Sequence, residues 1–144
     1  MIRVKIKRIE KVLPLPQYQT SGSVGFDMYS RIDATVLPDE IKILPSNLII
    51  EVPKGHMLVL ASRSSLSIKK GLRLSNSIGI IDQDYHGAED EIGIQVYNFT
   101  KDPIEVKRGE RITQGLFIPV ELAKWEEVEE IKKQSRGGFG STGT

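Results

Sequence analysis

Gly79-Ile80-Ile81-Asp82-Gln83-Asp84-Tyr85-His86-Gly87 is the stretch on which the reading of this chain turns. It follows an apolar run and precedes an alternating one, Ile92-Gly93-Ile94-Gln95-Val96-Tyr97, so it reads as a turn region between two strands. On an extended backbone Asp82 and Asp84 share a face, and they repel unless a cation, a donor or a proton intervenes. The apolar lead-in Ile80-Ile81 would partly desolvate Asp82, and a desolvated carboxylate is a better general base. The same residues also describe an Asp-rich hairpin turn capped by Gly87. Taken alone, the stretch leaves both readings open.

Working outward, the chain is strand material cut by turns. Ile2, Val4 and Ile6 alternate with Arg3, Lys5 and Lys7, the pattern of a half-buried strand with a basic outer face. A loop rich in Pro, Gly and Ser follows over residues 14–22, and Gly25-Phe26-Asp27-Met28-Tyr29-Ser30 reads as a short strand. Ile41, Ile43 and residues 48–52 are further strand material, punctuated by Pro38, Pro45 and Pro53. Met57-Leu58-Val59-Leu60-Ala61 is apolar on both parities, which predicts a strand covered on both sides. Residues 63–70 are the one good candidate for a short helix, with Gly71 as its stop. Residues 72–74 and 78–81 return to strand. Such spacing predicts an all-β, single-domain sandwich or jelly roll. Residues 125–133 fit a helix face through Val128 and Ile131, with a favourable Glu129–Lys133 pair.

Composition narrows the classes. At 144 residues, with 39% hydrophobic and 27% charged residues, the chain can bury a full core and has the make-up of a soluble globular domain. A formal net charge of +1 gives no reason to expect a nucleic-acid or membrane partner. The absence of cysteine excludes disulfides and thiolate sites, and His56 and His86 lie at no metal-ligand spacing. No apolar run reaches membrane-spanning length and the N-terminus is not a signal peptide, so a cytoplasmic protein is expected.

Four further positions carry chemistry. Ser62-Arg63-Ser64-Ser65 lies where a strand gives way to the expected helix: hydroxyls and free N–H groups there bind anions, or simply cap the helix. Gln114 shares parity with Ile112, Leu116 and Ile118, a polar residue on the face expected to be buried, and a buried amide needs a partner. Asn76 interrupts strand material, as a turn former or a ligand contact. Asp27, alone in its strand, would ordinarily be a solvated charge. The tail from Ser135, with Phe139 as its one aromatic, cannot order itself.

Five blocks stand in order: Gly25-Phe26-Asp27-Met28, Arg63-Ser64-Ser65-Leu66, the central Gly79 to Gly87 stretch, Gly109-Glu110-Arg111-Ile112-Thr113-Gln114, and Arg136-Gly137-Gly138-Phe139-Gly140-Ser141-Thr142-Gly143. Together they resemble the motifs of the trimeric dUTP diphosphatases (dUTPases). The resemblance implies a jelly-roll-like barrel or sandwich of short strands over residues 1–134, with one short helix, and a flexible arm over residues 135–144 that closes the active site. It makes residues 125–133 an extended connection. It implies hydrolysis of dUTP to dUMP and pyrophosphate with Mg²⁺, limiting uracil entry into DNA and supplying dUMP for dTMP synthesis.

The resemblance also implies residue roles. Asp82 is the general base. Arg63, Ser64, Ser65, Gln114 and Arg136 hold phosphates. Asn76, Gly79, Ile81 and Tyr85 hold the nucleoside, Tyr85 leaves no room for a 2′-hydroxyl, and Phe139 stacks on uracil. Asp27 holds water on the metal and pairs with the tail arginine; Asp84 supports. A homotrimer with shared sites is implied, Phe139 arriving from a neighbouring subunit.

Three departures from the common pattern stand out. Ser62 replaces a proline, Ala88-Glu89-Asp90-Glu91 lengthens the chain after Gly87 as an acidic bulge near the mouth of the site, and Arg136 abuts Gly137 without the usual spacer. A dCTP deaminase of the same fold shares the Arg-Ser-Ser block but not the central stretch or the tail. A nucleotide-sensing interaction module would not need an intact Asp82.

Overall fold

Short apolar runs broken by Pro, Gly and Asn leave room for brief strands and almost no helix. The computed structural model describes residues 1–138. Its strands are β1 (Lys5–Arg8), β2 (Phe26–Tyr29), β3 (Ala34–Val36), β4 (Ile41–Pro45), β5 (Leu48–Glu51), β6 (His56–Ser62), β7 (Leu72–Leu74), β8 (Gly79–Ile81), β9 (Gly93–Asn98), β10 (Ile104–Val106) and β11 (Arg111–Pro119). A four-stranded sheet runs β2-β11-β6-β8, a three-stranded sheet runs β4-β9-β7, and two ribbons pair β1 with β5 and β10 with β3. Side chains from all of these sheets meet in one core, among them Met28, Leu44, Ile50, Leu58, Ile94 and Val106. No sheet closes on itself among the described residues, so the expected all-β jelly-roll-like fold takes its sandwich form rather than a barrel.

β6 carries three buried residues in succession, Leu58, Val59 and Leu60, as its double parity predicts. The helix is shorter than expected, a single turn of π type over Leu66–Lys70. Gly71 stops it as anticipated, with φ 73° and its N–H bonded to the Ser67 carbonyl. β1 begins at Lys5 rather than Ile2. Its register sets Lys5 against Glu51, so an extension would bring Arg3 opposite Pro53, which has no N–H to offer. Ile2 and Ile6 remain exposed, so β1 is not half-buried in this chain.

Two corrections concern the strands that flank the site. β8 and β9 do not pair: β8 bonds to β6 in one sheet, and β9 bonds to β4 and β7 in the other. The central stretch therefore crosses between sheets instead of closing a hairpin. The second correction is the phase of β11. A register irregularity between Arg111 and Thr113 places Arg111 opposite Tyr29 but Thr113 opposite Met28. Beyond this bulge Thr113 and Gly115 face Met28 and Phe26 in the core, and Gln114, opposite Asp27, looks out of the other side of the sheet. Ile112 is buried, yet Gln114, Leu116 and Ile118 do not share its face.

The last backbone bond to the body is Val120 N–H to the Gly55 carbonyl, 2.9 Å. Residues 121–138 are exposed and contain neither helix nor strand, and Leu122, Trp125 and Ile131 are among their bare side chains.

Gly115 has no space for a side chain, since a Cβ there would lie 2.5 Å from the Phe26 ring. Gly115→Ala should cost about 1–3 kcal/mol by overpacking, read as a lower urea midpoint at constant slope. An unchanged midpoint would mean that Phe26 repacks freely.

Candidate active site

β8 ends at Ile81, and the chain then bends, Tyr85 N–H reaching the Asp82 carbonyl at 3.4 Å. The backbone is not extended across Asp82 and Asp84, so the shared-face repulsion expected of them does not arise. Nor is Asp82 desolvated by its lead-in: Asp82 is exposed, and Ile80 is 55% exposed. A cavity of about 390 Å³ gathers Asn76, Gly79, Ile81, Asp82 and Tyr85, facing Ile43, Gly93 and Gln95 across the gap between the sheets. Asn76 is the turn former that its sequence allowed. It belongs to a tight turn, with Ile78 N–H bonded to its carbonyl at 2.7 Å, and it lines the cavity. Gly79 lets β8 close on β6, because a Cβ there would stand 3.1 Å from the Leu60 side chain.

A second cluster lies around Asp27. This carboxylate is not a solvated surface charge: the residue is 7% exposed, with Oδ1 2.9 Å from Arg63 Nε and Oδ2 3.1 Å from Arg111 Nη1. A buried carboxylate in that position needs cations, and the bulge in β11 supplies the second one. Without it Arg111 would fall on the core side of the sheet; opposite Tyr29 it shares the face of Asp27. Gln114 finds its partner in the Ser62 carbonyl, to which Nε2 donates at 3.1 Å. Its Oε1 occupies the place a Cβ would need at Gly25, 2.7 Å away.

Ser65 precedes the helical turn without a side-chain cap, and Ser64 is exposed, so neither hydroxyl serves as the cap that the sequence allowed. A cavity of about 310 Å³ beside them is lined by Arg63, Ser65, Lys69, Lys70, Glu110 and Arg111. Lys70 is paired with Glu110 at 2.7 Å. Arg111 was missed as a site residue because strict alternation puts it on the face away from Gln114. Arg136 is exposed, and Phe139 lies outside the described residues.

The two clusters are not adjacent within one chain. Ile81 pairs with Leu58, which sets Asp82 beside Met57, and the Gln83 amide donates to the His56 carbonyl at 3.1 Å at the same end of β6. Arg63 follows Ser62 at the opposite end. Six residues of extended strand separate Met57 from Arg63, about 20 Å. No helix among the described residues is long and apolar enough to cross a membrane.

The family model described as dUTPase matches residues 11–143. A deoxyuridine 5'-triphosphate nucleotidohydrolase of Dictyoglomus turgidum is 43% identical, with 99% of this chain and 99% of that protein covered. Among solved structures, the dUTPase from Streptococcus mutans is similar with a TM-score of 0.76 at 31% identity, over 83% of this chain and 98% of that one. A dUTPase of Staphylococcus bacteriophage 80alpha, solved with dUPNHPP, shares the fold with a TM-score of 0.87 over the whole of both chains at 24% identity.

Removing the Asp27 carboxylate leaves two guanidinium groups facing each other. Asp27→Ala should lose about 1.5–3 kcal/mol, the range for hydrogen bonds to charged groups, and Arg111→Met should lose less because Arg63 still covers the carboxylate. Denaturation of Asp27→Ala at the parent midpoint would show that the pair is not formed in solution.

Proposed function

The chain belongs to the dUTPase family, and from that membership we propose that it hydrolyses dUTP to dUMP and pyrophosphate, keeping uracil out of DNA and supplying dUMP for dTMP synthesis. The observation that carries the reading is the gathering of Asn76, Gly79, Ile81, Asp82 and Tyr85 around one cavity of nucleoside size. In this reading Asp82 takes the proton from the water that attacks the α-phosphorus. Its exposure in the single chain leaves it open to such a water. Backbone groups between Asn76 and Tyr85 read uracil, and the Tyr85 ring excludes a 2′-hydroxyl. Arg63, Ser64, Ser65, Gln114 and Arg136 hold the phosphates, the arginines as planar charged forks. Residues 135–144 form the closing arm, and Phe139 stacks on the base.

Mg²⁺ fits the donors present. Asp27 has two of its roughly four lone-pair directions engaged by Arg63 and Arg111, so it can still accept from a metal-bound water. When bound, the ion neutralises charge on the pyrophosphate leaving group.

A homotrimer with shared sites is part of the proposal. A base that activates water at the α-phosphorus must stand within a few ångströms of the groups orienting that phosphoryl group. The length of β6 between Asp82 and Arg63 therefore supports a site that takes Asp82 from one subunit and Arg63 from another. The bare apolar side chains of residues 121–138 support an arm that lies on a neighbour.

Incubation with each deoxynucleoside triphosphate and Mg²⁺ should release pyrophosphate from dUTP alone; ammonia from dCTP would replace this reading with a deaminase. Asp82→Asn should bind nucleotide but turn over about 10²–10⁴ times more slowly, and near-parent turnover would remove Asp82 as the base. Asp82→Asn and Arg63→Ala chains, each inactive, should regain about a quarter of parent activity when refolded together, the share of randomly mixed sites with both residues intact. No recovery at any ratio would mean that each site is built from one chain.

A further inference from the structure

The acidic insertion after Gly87 is not a free acidic bulge. Asp90 turns back on the loop, its Oδ2 accepting the Gly87 N–H at 2.6 Å. Glu91 is tied to the body: its two carboxylate oxygens take Nε and Nη2 of Arg31, both at 2.9 Å, and one of them also accepts the Asn47 N–H at 2.7 Å. Arg31 in turn reaches Glu10 at 3.4 Å, and Glu10 is paired with Arg108. The bidentate pair holds the Arg31 guanidinium above its ordinary pKa, so the fork stays charged throughout. Asn47 is itself fixed, with φ 72° and its side chain bonded to the backbone of Glu10 in both directions. The free end of the loop is thereby welded to four other loops at this end of the sandwich.

What the weld holds is Tyr85. The Tyr85 hydroxyl donates to the Glu91 carbonyl at 3.3 Å, and Glu91 lines the same cavity as Tyr85 and Asp82. The ring is 41% exposed, so packing alone does not lock it. The geometry points to Arg31, acting through Glu91, as the positioning residue that fixes the Tyr85 ring and thereby sets discrimination between deoxyribose and ribose nucleotides. This rests on the nucleotide reading above and adds a residue outside the five sequence blocks. Lysine in its place would keep the charge but not the two-pronged grip on Glu91.

The ratio of kcat/KM for dUTP over UTP tests the assignment, because a loss of folded enzyme lowers both constants together and leaves the ratio unchanged. Arg31→Met should lower the ratio by about fivefold or more, the scale on which a shaped pocket separates close analogues. Arg31→Lys should lower it less, and it serves as the variant of record if Arg31→Met does not fold. Tyr85→Phe, which removes only the hydroxyl, should lower it comparably. The double variant Arg31→Met/Tyr85→Phe should fall no further than the larger single effect, since both cut one path. A ratio unmoved in both Arg31 variants, or effects that multiply in the double variant, would overturn the positioning role. A parent protein that leaves dUTP intact would instead overturn the nucleotide reading, and this proposal with it.

Discussion

The Asp27 carboxylate between Arg63 and Arg111 is the interaction on which this end of the four-stranded sheet depends. A carboxylate shut away from water is tolerable only with cations and donors around it. Here both oxygens are taken by guanidinium groups from different parts of the chain, one just past β6 and one at the start of β11. The pairing draws the ends of three neighbouring strands of one sheet together, and Arg63 adds a bond from Nη1 to the Arg111 carbonyl at 3.3 Å. An arginine pair so close would repel without the carboxylate. The anion is what makes a concentrated positive site affordable in a chain of nearly zero net charge.

The second constraint is length. β6 is the rail along which both clusters are mounted, the Asp82 loop at its beginning and the Arg63 cluster at its end. Strand geometry keeps them apart by a distance no side-chain motion removes. The rigidity of the sheet thus bears directly on the proposed assembly: a single chain holds the two clusters about 20 Å apart, and it is this separation that supports the sharing of sites between copies.

Between these stands the loop after Gly87. Length added to a loop usually loosens it, but here the added residues end in a glutamate that reaches Arg31 with both oxygens. The extension is thus converted from slack into a brace for the Tyr85 side of the cavity. Loops carry function when a rigid scaffold positions them, and in this molecule a side-chain ion network adds to the backbone bonds of Ile92 with Ser46 and Leu48 in that role.

Much was legible in the residues alone. The resemblance carried by the five blocks grouped Asn76, Gly79, Ile81, Asp82 and Tyr85, which line one cavity; alternation, turn residues and apolar runs determined that the fold is all-β, that β6 is covered on both faces and that Gly71 ends the helical turn. These are local properties, written in side-chain period and turn chemistry. What the tertiary structure decided are matters of pairing and phase. One bulged residue in β11 turned Gln114 out of the core and brought Arg111 onto Asp27, which no reading of strict alternation could foresee, because a bulge reverses every face beyond it. The burial of Asp27, the grip of Arg31 on Glu91 and the separation of Asp82 from Arg63 depend likewise on which strands lie side by side, and that choice is made by packing among residues far apart in the chain.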